Sequence, residues 1–256
     1  MIHPSAIIDP GAEIDEGVTI GPFSVIGPDV RIESGTNIGP HVVVRGLTRI
    51  GRDNRIFQFS SIGEDPQDKK YRGEPTRLEI GDRNVIREYA TIHRGTIQDQ
   101  SVTRVGSDNL LMAYTHVAHD CMIGDGVILA NGASLAGHVR VDDFAILGGF
   151  SLVHQFCRIG RYSFSGMGSV ISRDIPPYVM VGGSPTKPRG INNVGMERRG
   201  FNADTILQIR RAFKLIYKSK LKLEEAIENL SIMAAEYPEV SPMVEFLQQS
   251  GRSIIR

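Results

Sequence analysis

An all-β fold, a parallel β-helix with a small α-helical domain at its C-terminal end, is what this sequence predicts. Three observations predict it. An aliphatic residue recurs at every sixth position through most of the first 171 residues. The residue after it is repeatedly small, most often Gly. From Asn202 onward the apolar spacing changes to that of a helix. No helix has a period of six, and a short repeat in this many copies marks a solenoid whose turns bury their apolar residues against one another.

The elements follow in chain order. The first register holds Ile8, Ile14, Ile20, Ile26, Ile32, Ile38, Val44, Ile50, Ile56 and Ile62. It resumes at Ile80, Ile86 and Ile92. After a shift of one residue it runs on through Val105, Leu111, Val117, Ile123, Leu129, Leu135, Val141, Leu147, Val153 and Ile159. Each hexad supplies a short strand and a turn, and three hexads close a triangular coil. Coils stack at roughly 4.8 Å, so every strand pairs with the coils above and below. The aliphatic points into the prism and the small residue sits at a crowded corner. Two polar stretches, near residues 64–77 and 94–104, interrupt the hexads and read as loops ejected from the solenoid, where binding residues are commonly placed.

Residues 1–186 are assigned to the β-helix and 187–256 to a linker and an α-helical domain. The stretch DIPPYVMVGGSPTKPRGINN is rich in Pro and Gly and reads as an irregular exit segment. Asn202 is a candidate N-cap, followed by Ile206, Ile209, Phe213, Ile216 and Tyr217 at helical spacing. A second helix is expected over residues 223–236 and a third from Ser241 through Leu247.

Composition narrows the function. Lys+Arg and Asp+Glu both number 29, so no nucleic-acid partner is indicated. The start has no basic region followed by an apolar run, and nowhere do 18 apolar residues follow one another. No signal peptide and no membrane insertion are expected, and a cytoplasmic location is. The two cysteines, Cys121 and Cys157, fall two coils apart, roughly 10 Å by the strand spacing. That exceeds the reach of a disulfide, so both are expected to be free thiols.

Four of the seven histidines lie in one stretch of hexads: His116, His119, His138 and His154. Counted modulo 18, His119 falls at 11, His138 at 12 and His154 at 10, with His116 at 8. Three therefore line one edge of the prism on successive coils. Such a row could hold a metal through neutral imidazoles, as in γ-class carbonic anhydrases. It could equally place one imidazole as a general base toward a sugar hydroxyl or an amine. Spacing leaves both open.

The strings HVAHDC, LAGHV, VHQFC, QDKKYRGEPT, IHRGT and RRGF, with the terminal GRSIIR, together resemble the UDP-N-acetylglucosamine O-acyltransferase family, the first acyltransferases of lipid A biosynthesis. The resemblance runs through the whole chain. It implies a homotrimer of left-handed β-helices with active sites between neighbouring chains. The reaction it implies is cofactor-free, uses no metal, and passes an (R)-3-hydroxyacyl group from acyl carrier protein to the 3-hydroxyl of UDP-N-acetylglucosamine. On the matching motifs His119 is the general base, and Gly137 offers its N–H to the oxyanion. Asp68 and Lys70 hold the sugar, while His116, His138, His154 and Gln155 line the substrate. Asn192, Arg198 and Arg199 meet the nucleotide and its phosphates.

Three further expectations come from the same resemblance. Met167 stands where other members carry Gly at the position that measures the acyl tail. At about 0.8 kcal/mol per buried methylene, it is expected to favour about ten carbons over fourteen. Val194 replaces a Glu near the nucleotide. The region from Lys187 onward carries 12 basic and 8 acidic residues. Its cluster of Arg198, Arg199, Arg210, Arg211, Lys214, Lys218, Lys220 and Lys222 is a candidate docking patch for acidic carrier protein. Asp120 follows the base directly and could orient it only if the chain turns there or across the trimer interface, because strand neighbours point to opposite faces. The residues alone also leave room for an N-acyltransferase on a UDP-amino sugar, and more remotely for a γ-carbonic-anhydrase-like metalloenzyme.

Overall fold

Each regular hexad folds as a two-residue strand and a turn, and three hexads make one coil of a left-handed parallel β-helix. The structure is a computed structural model describing residues 1–249 and 253–256. Ser250, Gly251 and Arg252 lie outside the described residues, so the terminal GRSIIR is described only from Ser253.

The aliphatic is the second residue of its strand and points inward. Ile26, Ile32, Ile38, Ile50, Ile56 and Ile62 are fully buried. They stack in register from coil to coil: Ile26 lies opposite Val44, and Val44 opposite Ile62. Beyond the two loops Ile62 pairs with Ile92 and Ile92 with Val117. The loops are therefore expelled without disturbing the stack, and the sequence shift at residue 105 leaves no trace in the core. Among the described residues the three faces hold nine, eight and ten strands; they begin at Ile7–Ile8, Glu13–Ile14 and Thr19–Ile20 respectively. These are the first, second and third faces below.

The corners carry most of the chemistry. The second residue of nearly every turn adopts the left-handed conformation, and many of these residues are not glycine. That conformation costs an L-residue about 1–2 kcal/mol, but here it aims side chains outward in columns. At the corner between the third and first faces, Phe23, His41, Phe59, Tyr89 and Tyr114 stack ring on ring at 4.9–5.2 Å, close to the coil spacing. His41 is thus a stacking residue in an aromatic column.

The exit segment is ordered, contrary to the irregular path its Pro and Gly content suggested. Val179–Gly182 and Lys187–Ile191 form an antiparallel hairpin that extends the third face. Residue 186 falls inside its turn. Among the described residues four α-helices follow, α1 (Asn193–Arg198), α2 (Ala203–Tyr217), α3 (Leu223–Glu236) and α4 (Ser241–Gln248), with a 3₁₀ turn at Pro238–Val240 before the last. Asn202 caps α2 by accepting from the Thr205 N–H at 2.8 Å. Ile206, Ile209, Phe213 and Ile216 form its buried stripe. The short α1 had no apolar periodicity to announce it; its one buried residue is Met196. The helices share a continuous core with the last coils. Arg158 lies over the Phe246 ring at 4.4 Å, and Ile255 N–H returns to the Asp174 carbonyl at 2.9 Å.

Candidate active site

The corner between the first and second faces brings His119, Asp120 and His138 together. His116 and Val117 form the last strand of the first face before it, and Met122–Ile123 begins the second face after it. Asp120 occupies the left-handed turn position, with φ 59°. The chain does turn there, so the opposite-face rule for strands does not hold, and the Asp120 carboxylate folds back onto its neighbour. His119 Nδ1 lies 2.9 Å from Asp120 Oδ2. Asp120 is fully buried as a side chain and also accepts from the Thr96 hydroxyl at 2.6 Å and the Thr96 N–H at 2.9 Å. Burial by itself pushes this carboxyl up, but the donors His119 and Thr96 outweigh it and hold its pKa below the usual range. An ionised Asp120 can only accept, so it selects the tautomer of a neutral His119 imidazole that carries the proton on Nδ1 and leaves Nε2 as the acceptor.

His138, at φ 63°, lies one coil further along the same column. Its ring meets His119 edge-on with centroids 5.1 Å apart and stacks on Phe156 at 4.4 Å. Its Nδ1 donates to Asp99 Oδ2 at 3.0 Å, which draws the second ejected loop onto the histidines. Gly137 precedes it. A Cβ at that position would stand 2.6 Å from His119 Cε1 and 2.7 Å from Nε2, so any side chain there would displace the imidazole. Among the described residues its N–H donates to no protein atom.

His116 shares a 2.7 Å hydrogen bond with Thr91 Oγ1, and its ring meets His93 edge-on at 5.4 Å. Burial, with His93 and His119 nearby, pulls its pKa down to about 4, so it is neutral near pH 7. His154 and Gln155 are exposed one coil beyond His138, and His154 Nδ1 lies 3.1 Å from the Gln155 carbonyl. The edge predicted from position counting is thus a close pair, His119 and His138, flanked by His116 on one side and His154 on the other.

The first ejected loop leaves the Ser61–Glu64 strand and rejoins at Arg77–Ile80. Lys70 is exposed and its N–H donates to Asp68 Oδ1 at 2.9 Å, so the two belong to one tight turn. The loop root reaches the histidine edge through His93, whose Nδ1 donates to the Asp65 carbonyl at 2.5 Å.

Asn192, Arg198 and Arg199 gather at a different corner, between the second and third faces. They line a cavity of about 310 Å³ with Gly126, Phe144, Ile146 and Tyr162. Arg199 lies over the Phe144 ring at 4.4 Å. Asn192 also serves the fold, capping α1 through Gly195 N–H at 3.1 Å and donating to the Tyr162 carbonyl at 3.0 Å. Met167 sits at the remaining corner and is 77% exposed. Val194, in α1, is also exposed. The candidate residues therefore occupy three separate corners of one chain.

The histidine corner bears on two alternative chemistries. His119, Asp120 and His138 offer donor atoms within 4.8 Å of one another, close enough to share a metal ion. Yet Nδ1 of each imidazole faces a carboxylate at hydrogen-bonding distance, and Asp120 is occupied by three donors. That arrangement orients imidazoles as it stands. Cys121 and Cys157 are buried and not joined in a disulfide, with the Cys121 thiol pushed up to about 12 by burial.

His93, Thr96 and Asp99 were not singled out from the sequence. All lie at or beside the second loop, where the register breaks, so counting by hexads could not place them. The string IHRGT was the only signal pointing there.

Comparison with known proteins finds matches to both the solenoid and the C-terminal region. A family profile described as "Udp N-acetylglucosamine O-acyltransferase; Domain 2" matches residues 174–255. One described as "Bacterial transferase hexapeptide (six repeats)" matches residues 11–46 and 103–137. The acyl-[acyl-carrier-protein]–UDP-N-acetylglucosamine O-acyltransferase of Stutzerimonas stutzeri (strain A1501) is 55% identical over 256 residues, covering 100% of this chain and 99% of its own length. The protein of the same name from Alkalilimnicola ehrlichii is 57% identical over 255 residues, with the same coverage. The solved UDP-N-acetylglucosamine acyltransferase of Francisella novicida superposes with a TM-score of 0.98 at 43% identity, covering 100% of this chain and 94% of that one.

Proposed function

The chain belongs to the UDP-N-acetylglucosamine O-acyltransferase family, and from that premise we propose that His119 is the general base of its acyl transfer. The enzyme moves an acyl group from acyl carrier protein to UDP-N-acetylglucosamine in lipid A biosynthesis. In our reading the acceptor is the sugar 3-hydroxyl and the donor an (R)-3-hydroxyacyl thioester. His119 Nε2 takes the hydroxyl proton as the oxygen attacks the thioester carbonyl. The C–O bond forms, negative charge collects on the carbonyl oxygen, and the Gly137 N–H receives it. Collapse breaks the C–S bond, and protonated His119 returns the proton to the departing thiolate. Asp120 fixes the productive tautomer and balances the imidazolium formed in between. The observation that carries this reading is the hydrogen bond from His119 to the buried Asp120 carboxylate, beside a glycine whose Cβ would press on the imidazole.

The remaining residues take supporting roles. Asp68 and Lys70 hold the sugar from the first loop, while His116, His138, His154 and Gln155 line the cleft. Asn192, Arg198 and Arg199 bind the nucleotide, with the guanidinium groups suited to phosphate oxygens. Because the base and the nucleotide residues lie at different corners, a complete site needs a neighbouring copy, as in a homotrimer. The exposed rings of Phe23, Phe59, Tyr89 and Tyr114 favour such packing. The acidic carrier protein docks on the exposed Arg210, Arg211, Lys214, Lys218, Lys220 and Lys222. Among the described residues none of these six forms an ion pair within the chain. Met167, carried to a neighbour's cleft, closes the acyl groove at about ten carbons.

An acyl-transfer assay with ten-, twelve- and fourteen-carbon 3-hydroxyacyl carrier proteins tests this reading. Preference for the ten-carbon donor, moving to longer donors in Met167→Gly, is expected. Preference for fourteen carbons in the wild type would end the role given to Met167 and leave that of His119 standing.

A further inference from the structure

We infer that Arg94 is a positioning residue for the nucleotide sugar: a buried guanidinium that fixes the first ejected loop so that Asp68 and Lys70 face the histidine edge. The inference rests on the reading of Asp68 and Lys70 as sugar-binding residues. Bonds within residues 65–76 give the loop its local turns: Tyr71 N–H to the Asp68 carbonyl at 3.1 Å, Tyr71 Oη to the Glu74 carbonyl at 3.0 Å, and Arg72 N–H to Glu74 Oε2 at 2.8 Å. None of them ties the loop to the solenoid. Arg94 does. One terminal nitrogen donates to the Gly63 carbonyl at 2.6 Å, where the loop departs. The other donates to Asp65 Oδ1 and, at 2.9 Å, to Tyr71 Oη halfway along the loop. The Arg94 N–H meets the Glu64 carbonyl at 3.2 Å. The adjacent His93 holds the Asp65 carbonyl on one side and touches the His116 ring on the other.

Arg94 is 8% exposed. Removing a charge from water is costly unless its donors are satisfied, and here three different acceptors satisfy them, all at the root or middle of one loop. The fold also keeps room for it. Gly46 has φ +64° at the same corner two coils away, and a Cβ there would run into the Arg94 guanidinium. A fork that joins a strand end to two points of a loop sets the loop's direction, which a single ion pair cannot do.

The test uses the full chain with Arg94→Ala, Arg94→Lys, Asp65→Asn and Lys70→Ala. Two readouts are taken: steady-state kinetics, and the rate of tryptic cleavage at Lys69, Lys70 and Arg72, all exposed in the loop. We expect Arg94→Ala to raise KM for UDP-N-acetylglucosamine about tenfold with kcat within about twofold, because loop ordering then falls to the ligand. Cleavage in the loop should quicken by a similar factor, and Arg94→Lys should restore part of both. Asp65→Asn removes the negative charge that pairs with Arg94 without emptying a buried site, so it reports even if Arg94→Ala fails to fold. Lys70→Ala should raise KM without quickening cleavage at the remaining sites. Wild-type KM and wild-type tryptic resistance in Asp65→Asn and Arg94→Lys would overturn the inference. Wild-type KM in Lys70→Ala would instead overturn the sugar-binding role of Lys70, while the cleavage rates would still decide whether Arg94 holds the loop.

Discussion

Replacing Gly137 with alanine adds one methyl group at the most crowded point of the site. Its Cβ would stand 2.6 Å from His119 Cε1 and 2.7 Å from Nε2. Carbon atoms settle at about 3.5–4.0 Å from one another, so the ring must retreat by roughly 1 Å. It has little freedom to do so, since Nδ1 is held by Asp120 at 2.9 Å and one edge faces the His138 ring. Retreat therefore swings Nε2 out of line with the sugar hydroxyl. A misplacement of about 1 Å costs on the order of 10²-fold in rate, or about 2.7 kcal/mol of barrier. Alanine keeps the backbone N–H, so the oxyanion donor is retained and the loss isolates the position of the imidazole. The assay is kcat for acyl transfer beside a thermal unfolding midpoint. A Gly137→Ala enzyme with kcat within about twofold of wild type would refute the claim that His119 works from this position.

Three other outcomes are expected. Asp120→Asn can turn its amide toward His119 and move the imidazole proton to Nε2; kcat/KM should fall by about 10²–10³-fold, and an unchanged pH profile would count against the pairing. Folding lowers the His116 pKa from 6.5 to about 4, so the unfolded chain takes up a proton that the folded chain refuses. Stability should therefore decline as pH falls from 6.5 toward 4, and His116→Asn should flatten that decline in melts followed across this range. Mixed oligomers co-expressed from His119→Ala and Arg199→Ala chains should recover activity that neither variant has alone, because the two side chains lie at different corners; no recovery in confirmed mixed oligomers would place both in one chain's site.

The solenoid was legible because its code is local. One aliphatic per hexad suffices to bury a strand, and Ile26, Ile50 and Ile92 lie in the core where the count put them. The capped helix α2 was equally readable, since Asn202 and its apolar stripe are sequence-local. The hairpin over residues 179–191 was not: its Pro and Gly content resembles a loop, and only pairing with the third face makes it sheet. The histidine pair was half legible. Position counting put His119 and His138 on one edge, but the contact with Asp120 depended on a left-handed turn residue, a conformation more familiar in glycine. Asp99 and Thr96 reach the site from an ejected loop, and no period describes an ejected loop.

The most direct measurement is kcat for wild type and His119→Ala with UDP-N-acetylglucosamine and 3-hydroxyacyl carrier protein, alongside nucleotide-sugar binding by each. A general base at His119 predicts a fall in kcat of about 10³-fold with binding nearly intact. Full activity in a folded His119→Ala enzyme that binds UDP-N-acetylglucosamine normally would contradict the assignment of His119 as the base.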